Sequence, residues 1–300
     1  MILVAGGTGR LGSLVATDLV KKGEAMRILT RDPARAVHLA GKGIDLVRGD
    51  VRDGATLTEA FRGVSVVVSA IQGFAGTGKV TPESVDHRGN VALIDAAAAA
   101  GADVVMLSVI GAAADHPLEL FRAKHLAEEH LRNCGVPWTI VRASAFLETW
   151  SQILAKPIVF GRGENPINFV SVRDVSAVVE KAVLDTSLRG EVLEVGGSNL
   201  TFNQLSSLLL MVRADTRTVR HVPLAVLRMM ARFDRRARAS VIMDTTDMTF
   251  DAVTARARFI EVPITDPRMA LEALRDAPTP TSAPSLVLAT STPSLSKEPS

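Results

Sequence analysis

A run of glycines directly after the first apolar segment constrains the fold more than any other feature of the chain. Residues 2–5 read ILVA and residues 6–12 read GGTGRLG. The segment that follows has apolar residues at helical spacing, with Leu11, Val15 and Leu19 on one face. A short buried strand, a tight turn that needs glycine and an amphipathic helix are therefore predicted at the start of the chain.

The same pattern of strand followed by helix recurs along the first half of the sequence. Short β-branched runs alternate with helix-compatible segments, and several runs are apolar nearly throughout, which is typical of strands buried on both faces. The predicted strands lie at 2–5, 26–29, 44–47, 64–70, 104–108 and 138–142. This alternation predicts an α/β fold with a doubly wound, mostly parallel Rossmann sheet.

The alternation loosens after about residue 145, where glycine and proline become frequent. We expect residues 1–145 to form the Rossmann domain and 146–276 a smaller C-terminal substrate lobe, with segments near 168–195 returning to the first domain. Residues 277–300 are mostly proline, serine and threonine, and such a composition buries too little apolar surface to offset its ordering entropy. We predict that this tail is disordered.

Composition argues against several classes of function. A formal net charge of +2 with 22% charged and 47% hydrophobic residues is that of an ordinary globular protein, so no nucleic-acid partner is expected. A single cysteine, Cys134, excludes an intrachain disulfide framework or a cysteine-rich zinc site, and we expect no metal. No apolar run approaches the roughly 18 residues of a membrane span, and no signal peptide precedes the first strand. We expect a cytoplasmic protein.

The glycine turn and the end of the second strand predict a dinucleotide site. Backbone N–H groups in such a turn can approach a pyrophosphate, which then lies at the positive end of the helix. Arg31 offers a planar fork to a 2′-phosphate and Arg10 can approach from the turn, whereas Asp32 before Pro33 is typical of a helix N-cap. This favours NADP(H). Two alternatives stay open: Arg31 as a solvated loop residue, and Asp32 holding the ribose hydroxyls of NAD(H).

The end of the third strand offers an adenine contact. Asp50 could accept a hydrogen bond from the adenine amino group while Val51 packs on the ring. An equally favoured alternative is a plain turn in which Asp53 caps the helix near Ala55. Both hold if the two aspartates differ in role.

These segments together resemble the NmrA-like, NAD(P)-binding family of the atypical short-chain dehydrogenase/reductases. The resemblance rests on the glycine turn, on TRDP at 30–33, on GD at 49–50, on FRAKHLAE at 121–128, on WTIVR at 138–142 and on NFVSVRDV at 168–175. It covers residues 1–200 clearly and 200–276 loosely. It implies a Rossmann fold and a nicotinamide cofactor, and it says little about the substrate.

The resemblance also implies catalytic roles for Lys124 and Ser108. Lys124 falls where the superfamily has the lysine that holds the nicotinamide ribose, and Ser108 where it has a substrate-orienting serine. The superfamily's tyrosine, four residues before that lysine, is replaced by Leu120, and the chain contains no tyrosine. Lys124 could relay the proton instead, with His125 and Ser144 as weaker donors. Without the glycine turn and Ser108 in matching places, Lys124 would be interpreted as a solvated lysine on its helix.

The candidate catalytic residues are Lys124 and Ser108. The candidate cofactor-binding residues are Gly6, Thr8, Gly9, Arg10, Leu11, Gly12, Arg31, Asp50, Val51, Ala70 and Lys124. We expect an NADPH-dependent oxidoreductase that passes hydride to a small carbonyl, enone or quinone acceptor. The alternative is a non-enzymatic NADP(H) sensor that binds a protein partner. Nucleotide-sugar epimerisation is a weaker third reading, and a homodimer stays open.

Two further segments have no assigned role in this scheme. Residues 72–82 form a long glycine-containing loop after the fourth strand that could cover the nicotinamide as a lid. Residues 213–238 contain eight arginines against two aspartates. That charge fits a solvated helix face, or a surface that attracts an acidic substrate, an anionic surface or a partner.

The composition of the tail gives a first testable prediction. Truncation after Asp276 should leave the melting temperature and dinucleotide affinity unchanged, because only Leu286, Val287, Leu288 and Leu295 in the removed segment are large apolar residues. Thermal unfolding of the full and truncated chains checks this. A loss of several degrees would show that the tail contacts the body.

Overall fold

The computed structural model describes residues 1–74, 76–257 and 261–275. The tail predicted at 277–300 lies outside the described residues. The strands are β1 (Ile2–Ala5), β2 (Met26–Thr30), β3 (Asp45–Arg48), β4 (Val66–Ser69), β5 (Asp103–Val109), β6 (Trp138–Ala143), β7 (Ala145–Phe146), β8 (Ile158–Phe160), β9 (Pro166–Val170), β10 (Glu191–Val195), β11 (Ser198–Thr201) and β12 (Arg220–Val222). The helices are α1 (Arg10–Lys21), α2 (Val37–Ala40), α3 (Leu57–Ala60), α4 (Arg88–Ala100), α5 (Glu119–Asn133), α6 (Leu147–Ile153), α7 (Val172–Leu184), α8 (Phe202–Val212), α9 (Leu224–Met230), α10 (Arg235–Met243), α11 (Ala252–Arg256) and α12 (Pro267–Arg275).

Seven strands form one parallel sheet in the order β10-β6-β5-β4-β1-β2-β3. Each of the six strands predicted in the first half of the sequence belongs to it. The predicted doubly wound α/β fold is confirmed, and it follows from the nearly continuous apolar character of the strands, which needs helices on both faces. The strand order reverses at β1, whose neighbours β2 and β4 follow it in opposite directions.

Two apolar layers enclose this sheet. On one face, Val15 and Leu19 of α1 and Val179 of α7 are buried against strand residues such as Ile28. On the other face, Leu93 and Ile94 of α4 and Leu131 of α5 pack against the strands. The helices are thus fixed by packing on both sides, and their amino ends are held at the edge where the strands end.

The chain returns to the large sheet after it leaves β6. β7 follows β6 almost directly and pairs with β9, which also pairs with β11. The helix α7 then lies beside α1, and β10 pairs in parallel with β6. A third apolar cluster around Phe169 and Leu205 lies under the smaller sheet. The division of the chain at residue 145 stays a prediction.

The register of the strands brings three chain segments to one edge. Ala5 of β1 lies opposite Leu29 of β2 and Ser69 of β4. The glycine turn after β1 therefore emerges beside Thr30 and Ala70, in the crevice where open α/β sheets bind ligands. Among the residues described, no helix is both long and apolar enough to cross a membrane.

Candidate functional site

Two glycines of the turn are needed for the fold. Gly6 has a φ of +83°, and a Cβ there would lie 2.5 Å from the carbonyl oxygen of Ala70. A Cβ at Gly12 would lie 2.4 Å from the carbonyl oxygen of Gly6. Because both neighbours are backbone atoms, these glycines let β1, β4 and α1 approach one another.

Gly9 serves a different purpose. It is the N-cap of α1 in an extended conformation, and a Cβ there would find only the Gly6 carbonyl oxygen, at 3.1 Å. No side chain caps the first turn of α1, and that turn carries no acidic residue. The amide groups of Arg10, Leu11 and Gly12, with Thr8 exposed in the turn, therefore present free donors and a positive dipole end to an anion.

Two arginines flank this turn. Burial lowers the pKa of Arg10, and the buried carboxylate of Glu148 opposes that shift by attraction. Arg31 is exposed at the end of β2 and close enough to Asp50 to help lower the pKa of that carboxyl. Neither guanidinium has a hydrogen-bond partner within residues 1–74, 76–257 and 261–275. Both are therefore available to a phosphate.

Asp32, the residue that would favour NAD(H) instead of NADP(H), forms a hydrogen bond within its own turn. Asp32 is the N-cap of a short 3₁₀ helix at Pro33–Ala36, and its carboxylate accepts from the amide of Ala34 at 3.1 Å. The predicted N-cap role of Asp32 is confirmed. The alternative in which Asp32 holds the ribose hydroxyls of NAD(H) stays a prediction.

Asp50 and Asp53 differ in role, as the second alternative for this turn allows. Asp53 caps the 3₁₀ helix at Gly54–Thr56 and accepts from the amide of Ala55 at 3.2 Å, which confirms its predicted capping role. Asp50 accepts from Arg52 Nη2 at 2.6 Å, and this hydrogen bond lowers the pKa of Asp50. The adenine contact of Asp50 stays a prediction.

Val51 is positioned by α4. Its Cγ2 would lie 2.8 Å from a Cβ at Gly89, so the valine side chain rests on the helix at a point where no larger residue fits. That packing fixes an apolar surface next to Asp50. The surface suits the edge of a planar ring.

Lys124 on α5 is buried at the carboxyl edge of the sheet, with 2% of its surface exposed. Its Nζ donates to the carbonyl oxygens of Ile71 at 3.1 Å and Leu107 at 2.9 Å. Ile71 follows β4 and Leu107 belongs to β5, so the ammonium lies between the ends of these two strands. The alternative of a solvated helix lysine is wrong.

Asp86 faces this lysine and was missed by the sequence analysis. Its Oδ1 lies 3.2 Å from Lys124 Nζ. The angle is unsuitable for a hydrogen bond, so Oδ1 is a buried oxygen with no hydrogen-bond partner in the part of the chain described. Burial raises the pKa of Asp86, and the charge of Lys124 opposes that rise. Asp86 belongs to a π-helical turn, Pro82–His87, a geometry that is frequent at functional sites.

A hydrogen-bonded chain links Asp86 to the sheet. Ser69 Oγ donates to Asn90 Oδ1 at 2.5 Å, and Asn90 Nδ2 donates to the Asp86 carbonyl oxygen at 2.6 Å. Asp86 and Asn90 are one turn apart on the face that also buries Leu93. Two polar residues on an otherwise apolar helix face are the only sequence signal that could have indicated this cluster.

Ser108 takes part in a second buried cluster. Its Oγ donates at 2.5 Å to Oε1 of Glu128, which lies one turn after Lys124 on α5. Burial opposes ionisation of Glu128, but hydrogen bonds from Arg142 and Ser108 hold its pKa below the usual value. Arg142 Nη2 donates at 2.6 Å and Arg132 Nη2 at 2.9 Å to Oε2. The Ser108 hydroxyl is therefore directed at Glu128, and its role toward a substrate stays a prediction.

Two hydrogen bonds connect the loop at 72–82 to other parts of the protein. The Gly73 amide donates to Asp86 Oδ2 at 2.7 Å. Arg235 Nη2 on α10 donates to the carbonyl oxygen of Gly76 at 3.0 Å. The loop thus joins the Lys124 site to the basic segment 213–238, and its function as a lid stays a prediction.

The two weaker candidate proton donors, Ser144 and His125, differ in their exposure to solvent. Ser144 Oγ is buried and, within the residues described, has no hydrogen-bond partner, while its backbone amide donates to Val195. His125 is partly exposed on α5. No group of three or more potential metal ligands occurs among residues 1–74, 76–257 and 261–275.

A doubly wound sheet with an uncapped glycine turn at its switch point defines a dinucleotide-binding protein of the Rossmann type. The sequence model of the NmrA-like family matches residues 1–273, and the chain belongs to this family. The predicted family resemblance is confirmed.

Named relatives and solved structures add detail. The chain is 32% identical over 203 residues to an NAD(P)H azoreductase of Xenophilus azovorans, covering 66% of this chain and 68% of that one. It is 29% identical over 242 residues to the photosystem II assembly factor Ycf39 of Synechocystis, covering 78% and 74%. The structure of the quinone oxidoreductase QOR2 of Escherichia coli complexed with NADPH superposes with a TM-score of 0.74 and 25% identity, covering 92% of this chain and all (100%) of that one.

The different roles of the glycines can be tested separately. Gly9→Ala should weaken dinucleotide binding about tenfold or more while costing less than about 1 kcal/mol of stability, because its Cβ points toward the ligand and meets only one protein atom. Gly12→Ala should lower the melting temperature by several degrees, because its Cβ meets backbone. Gly41→Ala, whose Cβ would meet only the His38 carbonyl oxygen at 4.0 Å, is the control. Undiminished binding in Gly9→Ala would mean that this turn does not hold a phosphate.

Proposed function

We propose that this chain is an NADPH-dependent oxidoreductase of small conjugated or quinone-like acceptors. The observation that carries the proposal is the buried Lys124 ammonium at the carboxyl edge between β4 and β5, next to the free amide groups of the glycine turn. The activities for which the azoreductase and quinone oxidoreductase relatives are named support it. A nicotinamide cofactor, when bound, supplies the hydride.

The residues of this chain would hold that cofactor in three ways. The amides at the start of α1 bind the pyrophosphate, Arg31 and Arg10 bind the 2′-phosphate, and Val51 contacts the adenine. The fit is supported by the cradle at Gly9, which a side chain would fill, and by the two guanidinium groups without partners. Asp32 is engaged as the cap of its own helix, accepting from the amide of Ala34, which leaves Arg31 as the group at this strand end that can bind a phosphate.

Lys124 is the proposed proton donor at the acceptor oxygen. An ammonium carries three protons, and two of them are directed at the carbonyl oxygens of Ile71 and Leu107. The third has only the misaligned Asp86 carboxylate nearby and is therefore the one that can turn to a ribose hydroxyl or a substrate. The Asp86 carboxylate lies 3.2 Å from the ammonium and supplies the negative charge that balances it.

The acceptor class follows from what this site lacks. Without tyrosine, the chain has no phenol that could protonate an alkoxide in step with hydride transfer. A quinone makes a weaker demand, because its reduced oxygens are far less basic than an alkoxide and take protons from Lys124 or from water. The site therefore favours acceptors that delocalise the incoming electron pair.

One observation favours a second function, a non-enzymatic NADP(H) sensor. Lys124 and Ser108 are both hydrogen-bonded to groups of the protein itself, which a purely structural role would also explain. The Ycf39 relative is named as an assembly factor, and the chain covers 74% of it. Tight NADPH binding without oxidation by any quinone, enone, azo compound or aldehyde would support this sensor over the enzyme.

The cofactor preference is tested by titration. Arg31→Ala should lower the affinity for NADPH by about 1.5 to 3 kcal/mol, the range for a hydrogen bond to a charged group, and leave the affinity for NADH unchanged. Calorimetry with both cofactors measures this difference. Arg62→Ala, an exposed arginine paired with Glu59 near the amino ends of the strands, serves as the control. Equal loss for both cofactors would contradict a 2′-phosphate contact.

The role of Lys124 is tested by comparing acceptors. Lys124→Met should lower turnover of a ketone or enone about 100-fold or more, the scale of general acid assistance, and affect a quinone much less because solvent can protonate its product. The Met side chain fills similar space, and thermal unfolding shows whether the fold survives the loss of the buried pair.

Asp86→Asn separates proton transfer from packing. It keeps the shape and removes the carboxylate facing Lys124, so the rise in ketone turnover that accompanies ionisation of Asp86, whose pKa burial raises, should be absent from this variant. The quinone profile should stay unchanged. Identical pH profiles for the two acceptors in both variants would assign the pair a structural role only.

A further inference from the structure

The segment around α9 presents apolar side chains to solvent. Val226, Met229 and Phe233 recur at intervals of three and four residues, so they lie on one face of α9 and the turn that follows. Phe233 is 92% exposed and Met229 62%. Leu227 is fully buried and fixes the opposite face of α9 to the body. We call Val226, Met229 and Phe233 the α9 tip.

Unpaired positive charge surrounds the α9 tip. Arg228 and Arg232 are exposed, and their guanidinium groups have no ion pair or hydrogen bond with the described residues. The two acids of the segment are used elsewhere. Asp215 pairs with Arg217 at 2.5 Å, and Asp234 caps α10 by accepting from the amide of Arg236 at 2.7 Å. The positive charge is therefore directed outward.

The sequence of the C-terminal segment offers little to neutralise this charge. Within 277–300 the sequence has a single acid, Glu298, directly after Lys297. That segment therefore lacks the charge that would complement two free arginines. The other strongly exposed apolar residues, such as Met211 and Met269, lie on different helices. The α9 tip is thus distinct in combining three apolar residues with free cationic groups.

We propose that the α9 tip docks on an anionic membrane surface and that the acceptor is a lipid-soluble molecule taken from that membrane, the second part resting on the proposed function. Phe233 and Met229 enter the boundary between headgroups and acyl chains, and Arg228 and Arg232 bind lipid phosphates while their aliphatic stems stay apolar.

A bilayer fits this surface better than a protein does. A stable protein interface buries about 800 Å² on each partner, with a shaped apolar core, whereas the α9 tip comprises three side chains on a protruding turn. A lipid surface requires no matching shape. It also supplies apolar depth and negative charge together, which are the two properties that the tip complements.

The position of the tip gives the docking a functional meaning. Arg235, two residues after Phe233, donates to the carbonyl oxygens of Gly76 and Val80 in the loop at 72–82. That loop is bonded at Gly73 to Asp86, which faces Lys124. The membrane-facing turn is therefore joined through one loop to the proposed catalytic lysine. An apolar acceptor leaving the bilayer here would enter beside this loop.

Sedimentation with lipid vesicles tests the docking without cofactor or acceptor, so its result does not depend on the proposed enzymatic function. The full chain should bind vesicles of equal parts phosphatidylcholine and phosphatidylglycerol and should not bind phosphatidylcholine alone. Arg228→Gln with Arg232→Gln should weaken binding about 30-fold, from about 1 kcal/mol for each arginine near an anionic surface. Phe233→Ser should weaken it about tenfold or more.

Matched controls distinguish binding through the α9 tip from nonspecific adsorption through other exposed apolar residues. Met211→Ser, at a residue 65% exposed on α8, should leave vesicle binding unchanged. All these side chains are exposed, so melting temperatures should not move. Equal binding by Phe233→Ser and the unmodified protein, or absence of binding to the anionic vesicles, would overturn the docking. If the protein does not bind anionic vesicles but captures another protein in a way that depends on Phe233, the α9 tip is assigned to a protein partner instead.

A separate measurement tests whether the acceptor is a lipid-soluble molecule. Turnover of a long-chain quinone carried in anionic vesicles should fall about tenfold or more in Phe233→Ser, while turnover of a water-soluble quinone stays unchanged. If vesicles are bound but neither quinone is reduced, the docking stands and the proposed oxidoreductase is wrong. If both quinones are reduced and Phe233→Ser affects neither, the acceptor does not come through the α9 tip.

Discussion

The close approach of the glycine turn to the end of β4 is the contact on which the rest of the site depends. A Cβ at Gly6 would meet the carbonyl group of Ala70, and a Cβ at Gly12 would meet the carbonyl group of Gly6. Because both residues are glycines, β1, β4 and the start of α1 can come together at one edge. Ile71, the residue after Ala70, then places its carbonyl oxygen where Lys124 Nζ can reach it. The phosphate cradle and the buried lysine are therefore built by the same backbone contact.

α5 carries two buried charges of opposite sign one turn apart, and the protein treats them differently. Glu128 is saturated, because Ser108, Arg132 and Arg142 all donate to its carboxylate. Such a group is stable and has little capacity left for chemistry. Lys124 has two well-directed acceptors and one misaligned carboxylate. An incompletely bonded buried ion costs stability, and this cost is typical of a group kept for function.

Local sequence was enough to predict the features that depend on neighbouring residues. The strands follow from apolar runs, the glycine turn from its own spacing, and the cap of Asp32 from the proline that follows it. The pairs of residues that form the candidate site are not local in the sequence. Lys124 and Asp86 lie on different helices 38 positions apart, and their meeting is a result of packing that spacing does not reveal. For the same reason the sequence could suggest Ser108 as a substrate contact, but it could not show that the Ser108 hydroxyl donates its hydrogen bond to Glu128.

The absence of tyrosine and the exposed α9 tip lead to the same class of acceptor by separate arguments. A site with one buried ammonium and no phenol favours a substrate whose reduced form needs little help with protonation, and quinones have this property. An exposed phenylalanine with free arginines favours contact with an anionic apolar phase, where long-chain quinones dissolve. Neither argument uses the other's residues, since one rests on α5 and the other on α9. The loop between Gly73 and Val80 connects them, because it is bonded to Asp86 at one end and to Arg235 near the other. A membrane contact at the α9 tip would therefore act, through this loop, on the carboxylate that faces Lys124, so the proposed docking would couple acceptor delivery to the proposed proton donor.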